Sequence, residues 1–191
     1  LCMRKEGEVK FKMMESKNLI LRETTFGDCG IFSEWETKED VKKFFSMDDD
    51  HGYEDVVRDF FTNVQDPSKR YFTITLKPEG NVIGRVYLSA VNRKQDSLDI
   101  TRIYIADVEK RGMGYGEEAI RLVLEYAFIN LHMERVTIDH FSENDVARQL
   151  YHKIGFQDEG RMRHAAKKNG RYYDLQLMSM LRAEYYDKIH V

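Results

Sequence analysis

The sequence predicts one α/β (α+β) domain built on a mixed, mostly antiparallel sheet, and three observations carry that expectation. The chain has 191 residues, 42% apolar and 12% aromatic, enough to bury a real core in a single domain. Three strand-like segments, 71–76, 82–91 and 98–106, are joined by polar turns ahead of the first long helix. That is the wrong opening for a doubly wound parallel sheet. A strand, a glycine-rich loop and an amphipathic helix then follow without interruption over residues 103–131.

Composition removes several function classes. Thirty Lys and Arg stand against 33 Asp and Glu, a formal charge of −3, which argues against general nucleic-acid binding. Two cysteines, Cys2 and Cys29, are too few for a disulfide framework or a zinc site, and no metal is expected. No apolar run reaches 18 residues, so no membrane helix is expected. Residues 1–14 are charged and lack the apolar core of a signal peptide, and a cytoplasmic location follows as the expectation.

In chain order, residues 1–17 read as a loose N-terminal extension, with Met13 or Met14 a candidate natural start. The domain proper is expected over 18–182 and a C-terminal tail over 183–191. Residues 18–23 form a first strand. Phe26, Cys29, Phe32 and Trp35, then Val41, Phe44 and Phe45, have helical spacing and predict two short helices. The Asp48-Asp49-Asp50-His51 run reads as a solvated loop or, less readily, a cation site, and 54–64 as a third helix. After the three antiparallel strands, Ile120, Val123, Leu124, Ala127, Phe128 and Leu131 make the buried stripe of a helix over 117–131. Its exposed face carries Glu117, Glu118, Arg121 and Glu125, with Glu117 and Arg121 an i,i+4 pair. A strand over 136–141 and a helix ending at Gly155 come next. Segments 156–162 and 172–181 close the sheet across the turn 167–170.

The loop Arg111-Gly112-Met113-Gly114-Tyr115-Gly116 has three glycines on alternate positions. They let the backbone turn tightly and meet a ligand without a Cβ, and the amides there, with the first N–H groups of the helix, suit a phosphate or pyrophosphate. A P-loop would end in Gly-Lys-Ser/Thr, and Gly116-Glu117-Glu118 does not. A dinucleotide fingerprint is Gly-x-Gly-x-x-Gly, and here the third glycine arrives one residue early.

The Arg-x-x-Gly-x-Gly arrangement of 111–116 resembles the acetyl-CoA loop of the GCN5-related N-acetyltransferase (GNAT) superfamily. A second block, Asn144, Ala147, Leu150, Tyr151, Lys153, Gly155 and Phe156, matches that family's Asn-x-x-Ala-x-x-Leu-Tyr-x-Lys-x-Gly-Phe segment. The resemblance spans about residues 18–182. It implies about seven strands whose fourth and fifth splay apart to admit the pantetheine arm, flanked by helices. It further implies acetyl-CoA as cosubstrate, with Ile103, Tyr104 and Ile105 holding the pantetheine through backbone groups. Arg111, Gly112, Met113, Gly114, Tyr115 and Gly116 would bind pyrophosphate, and Asn144 would lie beside the pantetheine. Tyr151 would face the departing sulfur, and Asp99 on the fourth strand would be the base. For Arg111 a solvated charge, for Asn144 a helix cap and for Tyr151 a structural aromatic are the plain alternatives. His140 is a second base candidate or a core histidine. Asp99 lies one residue farther from the glycine loop than the family pattern, which threatens to turn it to the other sheet face.

Within the superfamily, Glu159-Gly160-x-x-Arg163, Gly170-x-x-x-Asp174 and Met178-Ser179 resemble the branch of ribosomal-protein N-terminal acetyltransferases, with spermidine N-acetyltransferases its neighbours. The expected acceptor is a protein or peptide N-terminal amine, or a small amine bearing negative charge. Arg161, Arg163, His164, Lys167, Lys168 and Arg171 on the closing hairpin should repel a polycation. A polyamine acceptor and a non-catalytic acetyl-CoA-binding domain remain the alternatives, and the resemblance allows a homodimer.

Overall fold

The computed structural model describes residues 13–43 and 45–189. Strands β1 (Met14–Glu15), β2 (Leu19–Glu23), β3 (Arg70–Leu76), β4 (Asn81–Asn92), β5 (Ser97–Ile105), β6 (Arg135–Phe141), β7 (Gln157–Lys168) and β8 (Arg171–Leu181) form one sheet in the order β1-β2-β3-β4-β5-β6-β8-β7. Only β5 and β6 run parallel. Helices α1 (Cys29–Glu36), α2 (Glu39–Lys42) and α3 (Tyr53–Asn63) precede the long meander. Helix α4 (Tyr115–Glu125) joins β5 to β6, α5 (Asp145–Ile154) joins β6 to β7, and α6 (Arg182–Ile189) ends the described chain.

Strand alternation divides the core into two layers. One face packs Leu21, Phe72, Ile74, Ile100 and Ile138 against Ile120, Val123 and Phe128 of the α4 segment and Ile154 of α5. The expected stripe thus faces inward through Leu131, although the last turn, Tyr126–Asn130, opens to a π-helix. The other face packs Tyr104 and Ala106 against Cys29, Phe32, Trp35, Val41, Val56 and Phe60. Phe32, Phe72, Phe128 and Phe156 are fully buried, each worth on the order of 1.5–3 kcal/mol of transfer free energy.

A buried charge cluster sits beneath α1. Glu36 Oε1 accepts from Arg85 at 2.7 Å, Arg102 at 3.3 Å and the Tyr104 hydroxyl at 2.9 Å, while His51 donates to Oε2 at 3.2 Å. Burial acts to raise the pKa of Glu36. The His51 hydrogen bond and the charges of Arg102 and Arg85 outweigh it and hold the carboxyl down at about 2.

Several expectations need correction. The sheet has eight strands rather than about seven, because Met14–Glu15, within the expected extension, pairs with β2. The anchor is Glu118, read from sequence as part of a solvated face. Its carboxylate accepts from Ser16 Oγ at 2.6 Å, Asn18 N at 2.9 Å and Asn18 Nδ2 at 3.0 Å. Residues 1–12 of that extension, Cys2 among them, and Phe44 of the second helical stripe lie outside the described residues. The expected tail is helical, and Tyr185 packs on Phe128 with ring centroids 5.0 Å apart. The acidic run is an exposed loop, as expected, and it also makes contacts across the fold. Asn169 at the β7–β8 turn donates to Asp48 at 2.5 Å and Asp49 at 2.8 Å, and Lys42 pairs with Asp49 at 2.9 Å. Those contacts latch the hairpin tip onto the helical layer.

Candidate active site

The site begins where the sheet opens. Parallel pairing of β5 with β6 lasts four rungs, from Ser97↔Arg135 to Ile100↔Ile138. Beyond it β5 stays with β4, Ile103 against Val86, Tyr104 against Arg85 and Ile105 against Gly84. β6 instead follows β8, with Asp139 opposite Leu177 and Phe141 opposite Leu175. The two strands diverge, and the β5 edge facing β6 past Ile100 has no strand partner among the described residues. An extended ligand with amide groups fits such an edge as an added strand does. The side chains of Tyr104 and Ile105 are buried in the two cores, so the edge offers backbone there.

The glycine loop follows that strand in the chain, after a short turn over Val108–Lys110. Gly112 and Gly114 have φ of 75° and 89°, a region glycine enters without a Cβ penalty, and Gly114 caps the N-terminus of α4. A Cβ at either position meets no other part of the described residues within 4 Å, so the glycines leave room as well as a turn. Open space at the loop, beside the first N–H groups of α4, suits an anion. Met113 is exposed and Tyr115 packs on the first core. Gly116, the third glycine, is in the first turn of α4, where its Cβ would be in ordinary contact with Leu150. Arg111 is engaged within the protein: its guanidinium donates to the carbonyls of Ile105 at 2.8 Å and Ala106 at 3.0 Å and pairs with Asp40 at 2.7 Å. It fixes the turn out of β5.

Helix α5 closes the opposite wall. Asn144 caps it, Oδ1 accepting from Ala147 N at 3.1 Å. At the other end Gly155 N and Phe156 N both reach Tyr151 O, at 2.9 and 3.0 Å, and Phe156 packs against Tyr151 with ring centroids 6.0 Å apart. The buried Tyr151 ring also lies 5.9 Å from that of His140. Burial first, and then the charge of Asp139, push the phenol above its ordinary range. His140 Nδ1 donates to the Phe141 carbonyl at 2.8 Å, leaving Nε2 buried without a partner among the described residues.

Asp99 is on the face toward α1–α3. Tyr87 pairs with Arg102 and Leu88 with Ile100, so Thr101 is an extra residue in a β-bulge. The bulge absorbs the one-residue excess seen in the sequence. Both Asp99 oxygens are taken, by Thr101 Oγ1 at 2.8 Å and Thr137 Oγ1 at 2.7 Å. Two residues past Thr137 on the same face lies Asp139, which is not among the site residues expected from the sequence. Burial first, and then Asp99, raise its carboxyl to about 6. Alternation of Thr137 with Asp139 in β6 was the available signal. Nearby, a cavity of about 200 Å³ opens between the β6–α5 turn and the hairpin, lined among others by Ser142, Glu143, Arg161, His164, Arg171 and Asp174. Arg161 is paired with Asp174 at 2.6 Å, so that lining is less basic than the sequence suggested.

A splayed sheet with a glycine-loop helix across its mouth defines an acyl-CoA-dependent transferase. Residues 21–177 match the acetyltransferase (GNAT) domain family, and the chain belongs to it. It is an N-acetyltransferase that uses acetyl-CoA as cosubstrate to acetylate an amine. It is 25% identical over 176 residues to the uncharacterized N-acetyltransferase p20 of Bacillus licheniformis, covering 89% of this chain and 96% of that one. It is 25% identical over 173 residues to the spermidine N(1)-acetyltransferase of Vibrio cholerae serotype O1, covering 91% and 98%. Among solved structures, spermidine N-acetyltransferase from Vibrio cholerae in complex with CoA and spermine superposes with a TM-score of 0.81 at 24% identity, over 90% of this chain and 99% of that one. Among the described residues, no helix is long and apolar enough to cross a membrane.

Proposed function

We propose that the gap between β5 and β6 holds the pantetheine arm of acetyl-CoA and that a primary amine attacks the thioester from the α1–α3 face. The observation that carries this is the strand divergence after Ile100↔Ile138, with the open glycine loop following β5 in the chain. Backbone groups of Ile103, Tyr104 and Ile105 line the arm. The amides of residues 111–116 bind the pyrophosphate, with Arg111 bracing the loop rather than touching phosphate. Asn144 caps α5 and lies beside the arm.

Tyr151 acts on the leaving sulfur as a hydrogen-bond donor. A phenol of ordinary pKa ~10 passing its proton to a thiolate of ~8.5 runs uphill by about 2 kcal/mol. Burial raises this phenol further, which makes full transfer costlier still and leaves donation as its role.

The acceptor in this reading is a peptide or protein N-terminal amine, or a small amine, in the cytoplasm, and the enzyme self-associates at least to a homodimer. Exposed Phe26, Tyr53 and Phe61 on the α1–α3 side support the last point. A polyamine is the second reading, favoured by relatives named spermidine N(1)-acetyltransferase that match nearly the whole chain. Against it, Asp48 and Asp49 are already engaged by Asn169 and Lys42. A thiol-release assay with acetyl-CoA and spermidine, an amino sugar and N-terminal peptides tests the choice. We expect the peptides to turn over fastest, and micromolar KM for spermidine would reverse the order.

A further inference from the structure

We propose that the acceptor amine carries a carboxylate and that Arg102 binds it, which makes this arginine a specificity-determining residue of the site. The proposal rests on the acetyltransferase reading above and names the acceptor class which that reading leaves open.

Position is the first argument. Ile100 is the last residue of β5 that pairs with β6, and from Ile103 onward the β5 edge is the one assigned to the pantetheine arm. Arg102 lies between them, still paired with Tyr87 of β4. Its side chain is on the α1–α3 face, where the guanidinium reaches Glu36 of α1 and lies 5.6 Å over the Phe45 ring. Arg102 therefore stands at the head of the opening, on the side from which the amine attacks.

Bonding is the second. Glu36 Oε1 takes three donors, and the bond from Arg102 is the longest, 3.3 Å against 2.7 Å from Arg85 and 2.9 Å from Tyr104. One carboxylate thus faces two guanidinium groups, and the cluster keeps a surplus positive charge. The Arg102 side chain is 19% exposed, so a ligand can reach it. A guanidinium is a planar fork of N–H donors, and only Nη1 of this one has a hydrogen-bond partner among the described residues. Glu36 and Phe45 hold the fork in place while its other donors stay available. Such a fork matches a carboxylate bidentately, where a lysine would offer only a point charge.

Charge across the opening gives the acceptor its direction. On the same sheet face β6 carries Asp139, one residue past its last rung with β5. An acceptor with both an ammonium and a carboxylate has a place for each, the carboxylate toward β5 and the ammonium toward β6. A polyamine offers Arg102 nothing and is repelled by it. A phosphate dianion asks for more donors than one fork and meets a carboxylate opposite.

The test is steady-state thiol release with acetyl-CoA and matched acceptors that differ only in one carboxylate. The pairs are free amino acids against their amides, and C-terminally blocked peptides with Glu against Gln at the second position. Wild type should favour the acid member of one pair by about 10- to 100-fold in kcat/KM, the range for a hydrogen bond to a charged group. The pair that shows the preference tells whether the carboxylate is an amino acid's own or a peptide side chain. In Arg102→Gln the ratio should collapse to about threefold or less through a higher KM for the acid member, with the KM for acetyl-CoA kept. Arg102→Lys keeps the charge without the fork and should give an intermediate ratio. Equal wild-type rates on both members of both pairs would overturn the proposal, and that measurement needs no variant. So would a folded Arg102→Gln that keeps the preference, or faster turnover of spermidine or phosphoethanolamine than of any carboxylate-bearing amine. A wild-type protein that releases no thiol with any amine would instead overturn the acetyltransferase reading on which the proposal stands.

Discussion

Two carboxylates on the α1–α3 side of the sheet have met opposite fates. Glu36 is fully buried, yet two guanidinium groups, a phenol and an imidazole surround it, and its carboxyl is held at about 2. Asp139 is less buried, the charge that acts on it is another carboxylate, Asp99, and its carboxyl is raised to about 6. Both lose hydration, and only Glu36 is compensated. Desolvation alone therefore does not decide what a buried acid becomes; the sign of the charge beside it does. The first carboxylate fastens α1 to β4 and β5. The second is left with a proton affinity near neutral pH, where it is useful to chemistry and a burden to folding.

Removing the compensated acid should have the largest effect. Glu36→Ala strands Arg85, which is 3% exposed and whose Nε has no partner among the described residues, and it should cost about 3–5 kcal/mol in urea unfolding. A loss below about 1 kcal/mol would mean that water reaches Arg85 and that the two regions do not differ as described.

Removing the uncompensated acid should do the reverse. A folded-state pKa near 6 against an ordinary 3.8 means that the folded protein binds this proton more tightly. The contribution is fully present below about pH 4 and is lost as pH rises through 6, at 1.36 kcal/mol per unit, so roughly 3 kcal/mol at most. Asp139→Asn should therefore leave stability near pH 4 little changed and raise it by up to about 3 kcal/mol at pH 8. Glu36 runs in the opposite sense, its stabilisation present above about 4.5 and lost as pH falls toward 2. Unfolding curves of wild type and mutant that stay parallel from pH 4 to 8 would remove the premise of a strained acid.

The smallest structural change is expected at Tyr151, the third group of the site. Tyr151→Phe keeps the ring packed on His140 and Phe156, so stability should move by no more than about 1 kcal/mol. Turnover should fall about 10²-fold, with the KM for acetyl-CoA close to wild type and no rescue at high pH, since a donor and not a base has gone. An unchanged kcat would make Tyr151 a core aromatic.

Much of the molecule follows from short-range pattern. The period of Ile120, Val123, Leu124, Ala127 and Phe128, the alternation in 71–76 and the glycines at 112 and 114 are properties of neighbouring residues, so they name helix, strand and turn without knowledge of the fold. The paired blocks 111–116 and 144–156 added the family, and with it the splayed strands. Residue roles were less legible. Asp99, Asp139, Glu36, Glu118, Asp48 and Asp49 are all acids to a sequence, and nothing local separates them. Tertiary structure made Glu118 an anchor for the first strands, the aspartate run a latch for the hairpin, and Glu36 the centre of a charge cluster. A single bulged residue, Thr101, settled which face Asp99 occupies. The physical reason is range. Backbone conformation answers to sterics over a few residues, whereas a carboxylate answers to water lost and charges gained from strands and helices tens of residues away.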